Sequence, residues 1–381
     1  VKKIVYPDYD RSILSTIASC LRRFGAEASY PSLPELDGLL ATNPRHVMIL
    51  LLDGMGELPL GRALPVDSYL RSHHVATVTS IFPPTTAAAT TAYYCGLSAY
   101  ESGWLGWHLN MKEYAADVVA FLGRTYYTDK PVDGPPPAPT LMPYETVFDR
   151  LAGRCRTHAI CAFDSYSEKD ADERHRVSNF QDVADALAAI SQSEGRSFTL
   201  AYWNQPDAKM HDFGEGSREA VAEFRALDRA LAKVRERLGD ALLIVTSDHG
   251  MINTDGAVDV AKTPELLETL VIPPSVEPRA SAFYVKHHRR AAFEEAFQKC
   301  CGEDFLLFTR EEIMRSGLFG RGAGHPKFDD FIGDYMGVAI GSRYFRFTLP
   351  DGRVPYTLIG QHAGLTEDEM LVAVLADRTG T

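Results

Sequence analysis

An α/β fold, with a mostly parallel sheet flanked by helices, is the class this 381-residue sequence predicts. Three observations predict it. Short apolar runs at residues 47–52, 198–203 and 241–247 are too brief for typical helices and read as strands buried on both faces. Stretches with helical spacing alternate with them, notably residues 217–238, where Ala220, Phe224, Leu227, Leu231, Val234 and Leu238 recur every three or four positions. The apolar runs also lead directly into polar groups, namely Asp53, the segment from Asn204 to Asp207, and Asp248. Open α/β sheets place their ligands at such strand ends.

Taken in order, residues 11–24 repeat at helical spacing and close at Gly25, a C-cap signal. Pro31 and Pro34 mark a loop before the strand at 47–52. Asp53 then meets Gly54 and Gly56, which permit a tight turn; capping the next helix is its alternative role. Residues 57–72 read as helix or loop and 75–78 as a strand. Pro83 and Pro84 forbid a helix, whereas the alanines after them favour one, so Thr85 or Thr86 falls at a helix N-terminus. Free amides there suit an anion, and an N-cap is the simpler role. The stretch from Gly103 to His108 holds Trp104 and Trp107 and suits either a substrate-pocket wall or core packing. Six prolines between Pro131 and Pro143 predict a surface loop.

Residues 157–163 predict a strand and 180–190 a helix. After about residue 255 the pattern changes: 281–286 and 335–348 read as strands, 292–300 and 310–316 as helices. Residues 256–350 are therefore expected to form a small inserted α+β cap subdomain, with 1–255 and 351–381 as the core. Residues 370–375 read as a strand returning to the main sheet.

Composition narrows the function classes. Apolar residues are 45% of the chain and charged residues 24%, so a sizeable core is expected. A net charge of −12 argues against polymeric nucleic acid or an anionic membrane surface as partner. A small anionic substrate stays open, because bound cations can dominate a site's local field. Six cysteines show neither a CxxC pair nor a disulfide framework, which points to the cytoplasm. No run approaches a membrane span, and residues 1–10 lack an apolar signal core. The first residue is Val rather than Met, so a leader removed by processing is compatible with the sequence.

Six candidate metal ligands stand out: Asp53, Asp207, His211, Asp248, His249 and His362. One helical turn would place Asp207 and His211 on the same face. Asp248 and His249 can converge only if their strand has ended, and Gly250 allows that. Mixed carboxylate and imidazole ligands suit zinc, with manganese as an alternative. Singly, each could be a cap, a surface charge or a satisfied core group; their recurrence at strand ends favours a metal site.

These residues resemble the alkaline phosphatase superfamily, closest to its nucleotide pyrophosphatase/phosphodiesterase branch. The pieces that carry the resemblance are LLLDGMG at 50–56, FPPTTAAATT at 82–91, PDAKMH at 206–211, TSDHGM at 246–251 and GQHAG at 360–364. The resemblance implies an alkaline-phosphatase-like fold and two divalent ions, one held by Asp207, His211 and His362, the other by Asp53, Asp248 and His249. It implies Thr86 as nucleophile, favoured over Thr85 by counting back from Gly96, with Thr85, Trp104 and Trp107 as candidate substrate contacts. The expected substrate is a small phosphate ester, a nucleotide included. Two departures matter. Ala89 stands where an Asn phosphate ligand is usual in this branch, and no Arg can be placed as a clamp for a monoester. The first leaves substrate preference open; the second makes a diester the first expectation, with phosphomonoesterase and phosphonate hydrolase as alternatives. A sulfatase is excluded because Thr86 cannot yield the aldehyde nucleophile. A non-catalytic binding protein is disfavoured because all six ligands are present. The sequence does not indicate an oligomeric state.

Overall fold

Seven strands form the central sheet of the computed structural model, which describes residues 3–162, 166–354 and 357–380. They are β1 (His46–Leu52), β2 (His74–Thr79), β3 (Arg156–Cys161), β4 (Glu173–Arg176), β5 (Ser197–Trp203), β6 (Ala241–Thr246) and β7 (Leu371–Arg378). Their spatial order is β2-β7-β6-β1-β5-β3-β4. β1 pairs in parallel with β5 and β6, and β3 pairs in parallel with β5 and β4. Only β7 runs against its neighbours, β2 and β6. The expected strand end at Phe163 lies outside the described residues, as do residues 1–2, 355–356 and 381 of the expected core and its borders.

Every residue of β1 is buried, and its side chains divide between two apolar layers. Val47, Ile49 and Leu51 join the layer containing helix Ile13–Arg23 and Thr86–Cys95. Met48, Leu50 and Leu52 join the layer under helices Phe180–Ser191 and Arg218–Arg235. This period-two division explains why the strand is apolar from Val47 to Leu52 instead of alternating. Burial of each large aliphatic side chain contributes about 1.5–3 kcal/mol, so β1 is a major contributor to the stability of the sheet. Helix Arg218–Arg235 follows the apolar spacing seen in the sequence, with Ala220, Phe224, Leu227, Leu231 and Val234 buried.

Between two short antiparallel strands, Ile252–Asn253 and Gly360–Gln361, the chain leaves and rejoins the vicinity of the main sheet. Within that stretch Ser275–Glu277, Ala280–Phe283, Tyr335–Ala339 and Phe305–Thr309 form a four-stranded antiparallel sheet in that order. Helix Arg290–Cys301 covers it through Phe293 and Phe297, in a separate apolar cluster with Phe283, Phe305 and Phe345. Arg279 reaches across to Glu369 in a fully buried bidentate pair, Nε–Oε1 2.7 Å and Nη2–Oε2 2.8 Å.

Three local expectations differ from the structure. Residues 335–348 are two strands, because the chain turns at Gly341 and Arg343–Arg346 pairs instead with Gly256–Asp259. The proline-rich loop contains a short helix, Pro137–Leu141, begun by prolines that tolerate a first turn. Glu173–Arg176 has no apolar run to announce it, and in the three-stranded sheet at 109–125 the apolar run, residues 118–122, straddles the end of a strand and the turn after it.

Candidate active site

Parallel pairing brings the C-terminal ends of β5, β1 and β6 to one edge of the sheet. Asp53 follows β1 directly, Asp207 starts helix Asp207–Phe213 beyond β5, and Asp248 with His249 lies just past Thr246. β2 runs the same way, so Thr86, which begins the helix after it, emerges at the same edge. Two glycines make the convergence possible. Gly54 takes φ +72°, and a Cβ there would lie 2.9 Å from the Asp207 Cβ. At Gly250 a Cβ would sit 2.0 Å from the Asp368 carbonyl oxygen. β6 has ended before Asp248, which frees Asp248 and His249 from opposite-face alternation. His362 lies just past the short strand Gly360–Gln361, followed by Ala363 at φ +93°, a strained value for a residue with a Cβ.

The Thr86 hydroxyl lies 3.4 Å from each Asp53 carboxylate oxygen and 3.2 Å from His249 Nε2. Asp53, Asp248 and His249 each offer a ligand atom to one cluster, and Asp207, His249 and His362 to another. His211 joins through Asp207, with Nε2–Oδ2 at 3.2 Å. His249 and His362 stack, ring centroids 3.9 Å apart. All six predicted ligands are thus brought together, with His249 standing between the two groups.

The donor set fits divalent cations. Each histidine is oriented by Nδ1, which donates to a backbone carbonyl: His211 to Gly360 at 2.7 Å, His249 to Gly250 at 2.9 Å, His362 to Pro84 at 3.2 Å. That choice of tautomer leaves the Nε2 lone pairs available to a metal. Asp248 Oδ1 accepts from Gly54 N, Ser247 Oγ and His249 N, while its buried Oδ2 has no hydrogen-bond partner among the described residues. Asp207 Oδ1 is likewise buried without such a partner. Leaving buried carboxylate oxygens unsatisfied is costly unless a cation meets them.

Electrostatics say the same. Burial pushes the Asp53 carboxyl well above the usual range, and the charges of Asp248 and Asp207 push further. Burial also holds His362 well below the ordinary imidazole value, with His249 adding to it. Burial would lower His211, yet the Asp207 carboxylate beside it raises it to about 9. Several carboxylates crowded into a dry site call for positive charge.

A cavity of about 510 Å³ opens beside Thr86. Trp104, Trp107, Tyr94, Phe121 and Tyr126 supply aromatic walls. Trp104 is buried, its Nε1 donating to the Met142 carbonyl at 3.2 Å. Thr85 lines the cavity as N-cap residue, but its hydroxyl does not cap the helix; it donates to Glu277 at 2.6 Å. Glu277, on the first strand of the four-stranded sheet, also accepts from Trp107 N at 2.7 Å. Burial raises its carboxyl to about 7, despite those two donors. Sequence reasoning missed Glu277, which no motif surrounds, and Tyr202, whose hydroxyl donates to Asp53 from the end of β5. The position of Tyr202, one residue before the strand's end and beside the strand that leads into Asp53, was the available signal.

Among the described residues lining the cavity, the carboxylates are Asp53, Asp207, Asp212, Glu168 and Glu277, and none is Lys or Arg. No described helix is long and apolar enough to cross a membrane.

Comparison with known proteins places this geometry. The profile of the family described as type I phosphodiesterase / nucleotide pyrophosphatase matches residues 47–314. No curated protein sequence matches the chain. Among solved structures, murine ectonucleotide pyrophosphatase / phosphodiesterase 5 superposes with a TM-score of 0.65 at 17% identity, covering 87% of each chain. An inactive threonine-to-alanine form of the murine protein, in complex with AMP, gives 0.62 at 16% over 87% of each chain. Phosphonoacetate hydrolase from Sinorhizobium meliloti 1021, in complex with phosphonoformate, gives 0.59 at 17%, covering 88% of this chain and 90% of that one. At these identities the likeness establishes a shared fold.

Proposed function

The chain belongs to the type I phosphodiesterase / nucleotide pyrophosphatase family, within the alkaline phosphatase superfamily, and from that membership we propose a two-metal hydrolase acting through a phosphorylated Thr86. Its substrate is a phosphodiester or nucleotide pyrophosphate. The observation that carries this reading is the Thr86 hydroxyl at a helix N-terminus, within 3.4 Å of Asp53 and 3.2 Å of His249.

Asp207, His211 and His362 would hold one ion and Asp53, Asp248 and His249 the other, zinc suiting the mixed set best and manganese being the alternative. When bound, such ions supply Lewis-acid charge that favours the alkoxide of a nearby hydroxyl and offsets phosphoryl charge. The chain's own groups then do the following. Thr86 Oγ attacks phosphorus, forming a new P–O bond as the P–O bond to the leaving group breaks. The Thr86 proton departs to solvent, and the leaving oxygen takes the electron pair. Asp53 and His249 flank and orient the hydroxyl. Amides at the helix N-terminus donate to the phosphoryl oxygens. Water attack on the phosphothreonine completes hydrolysis. The inactive threonine-to-alanine relative supports a threonine in this role.

With Asp53 and Asp207 committed to the ions and Glu168 paired with Arg176, the described lining residues offer Glu277 and no Lys or Arg to a second phosphoryl charge, which favours a diester over a dianionic monoester. The cavity volume and aromatic walls suit a small nucleotide-sized ester, and Trp107 and Trp104 are assigned as its contacts. The AMP bound to a relative supports the same class. Residues 256–350 act as a cap, reaching the cavity through Glu277. No disulfide links the described cysteines, in keeping with a cytoplasmic location. Phosphonate hydrolysis is the second reading, favoured by fold likeness to phosphonoacetate hydrolase over 88% of the chain.

Turnover of bis-nitrophenyl phosphate, nitrophenyl phosphate, a dinucleoside pyrophosphate and phosphonoacetate by the zinc-loaded protein tests the proposal. The two diester-type substrates should be fastest. Phosphonoacetate turning over faster would transfer the assignment to the second reading.

A further inference from the structure

Two imidazoles and a carboxylate converge away from the cavity, at the other edge of the sheet. His158 lies on β3, and Glu173 and His175 lie on the edge strand β4. Parallel pairing sets His158 beside Glu173 and Ile160 beside His175, so all four share one face. Ile160 belongs to the apolar layer under helices Phe180–Ser191 and Arg218–Arg235. Cys161, one residue on, belongs to the opposite layer and lines the cavity. The sheet therefore separates this cluster from the catalytic groups.

The three donor atoms form a small triangle. His158 Nδ1 lies 3.1 Å from His175 Nε2 and 3.5 Å from Glu173 Oε2, and the remaining edge, His175 Nε2 to Glu173 Oε2, is 3.7 Å. Ligand atoms bound at about 2.0–2.1 Å around a tetrahedral ion stand roughly 3.3–3.4 Å apart. The observed edges bracket that value. Arg156 Nε donates to Glu173 Oε1 at 2.8 Å, which turns Oε2 towards the imidazoles. The His158 side chain is only 4% exposed, whereas those of His175 and Glu173 are 29% and 40% exposed, so the open side meets solvent.

We propose that His158, Glu173 and His175 form a second divalent transition-metal site, with solvent as the remaining ligand and zinc as the best-suited ion. Two imidazoles with one carboxylate favour zinc over magnesium or calcium. The site's role is structural. β4 is the last strand of the sheet and is paired on one side only, and an ion shared between β3 and β4 would fasten it.

Zinc content of the dialysed, zinc-loaded protein tests the site, compared among wild type, Glu173→Gln, His175→Gln and Asp248→Asn. The site predicts one fewer tightly held zinc per chain in Glu173→Gln and in His175→Gln, with diester turnover within about twofold of wild type. Asp248→Asn should lose catalytic zinc and turnover while retaining this ion, which separates failure of this site from failure of the catalytic assignment. Equal zinc in wild type and in both Glu173→Gln and His175→Gln would overturn it, leaving only a hydrogen-bonded triad. Both variants alter partly exposed side chains, and circular dichroism confirms folding before metal is counted.

Discussion

Glu277 accepts a 2.6 Å hydrogen bond from the hydroxyl of Thr85, a residue 192 positions away in sequence. The bond joins the antiparallel sheet of residues 275–339 to the residue immediately before Thr86. It also sets a buried carboxyl in the wall of the cavity, where a second phosphoryl charge would meet it.

Glu277→Gln keeps the shape and one acceptor but removes the charge. Above pH 7, where a carboxyl held at about 7 is ionised, relative turnover of nitrophenyl phosphate over bis-nitrophenyl phosphate should rise by about tenfold, the equivalent of about 1.4 kcal/mol of relieved repulsion. Steady-state kinetics on the two substrates measures it. An unchanged ratio in a folded variant would remove Glu277 from substrate selection.

Arg279→Ala should cost about 3–5 kcal/mol of folding stability, because it strands the buried Glu369 carboxylate. Gly364 N and Thr366 Oγ also donate to that carboxylate, so the loss would loosen the segment that carries His362. Urea unfolding at neutral pH checks the value. A loss below 1 kcal/mol would mean water reaches Glu369 at little cost.

Asp117 gives a pH dependence. Burial raises its carboxyl from the ordinary 3.8 to about 7. A proton held more tightly folded than unfolded stabilises the fold fully below pH 3.8, and this contribution is lost as pH rises towards 7, at about 1.4 kcal/mol per pH unit. Asp117→Asn should therefore show a flatter stability curve across that window. Parallel wild-type and variant curves from thermal melts would contradict it.

Chelation should abolish diester turnover, and zinc or manganese should restore it. Asp207→Asn and Asp248→Asn should each lose metal and activity together, since each carries a buried oxygen without a hydrogen-bond partner among the described residues. Full turnover in metal-free protein, verified by elemental analysis, would refute metal dependence.

Much of the sheet was legible because β1, β5 and β6 are buried on both faces and so are mostly apolar. Asp53, Asp207 and Asp248 were legible as candidate ligands for a related reason: a carboxylate at or just beyond the end of such a run is conspicuous. What remained hidden depends on tertiary partners. β4 reads Glu-Arg-His-Arg and is a strand only because β3 offers it an edge. Glu277 lies in a three-residue strand, and its importance comes from Thr85 and Trp107, both distant in sequence. Thr85 was expected as a substrate contact, with a helix cap as the simpler role; it lines the cavity, but its hydroxyl goes to Glu277.

Identifying the residue that carries phosphate during turnover tests the central claim most directly. Zinc-loaded protein is mixed with a phosphorus-labelled diester, quenched in acid within the first turnover, digested and mapped by mass spectrometry. The label should sit on Thr86, and Thr86→Ala should fold and retain its metals while turnover falls by roughly 10³-fold or more. Label on Thr85, or no label together with an active Thr86→Ala, would contradict the account.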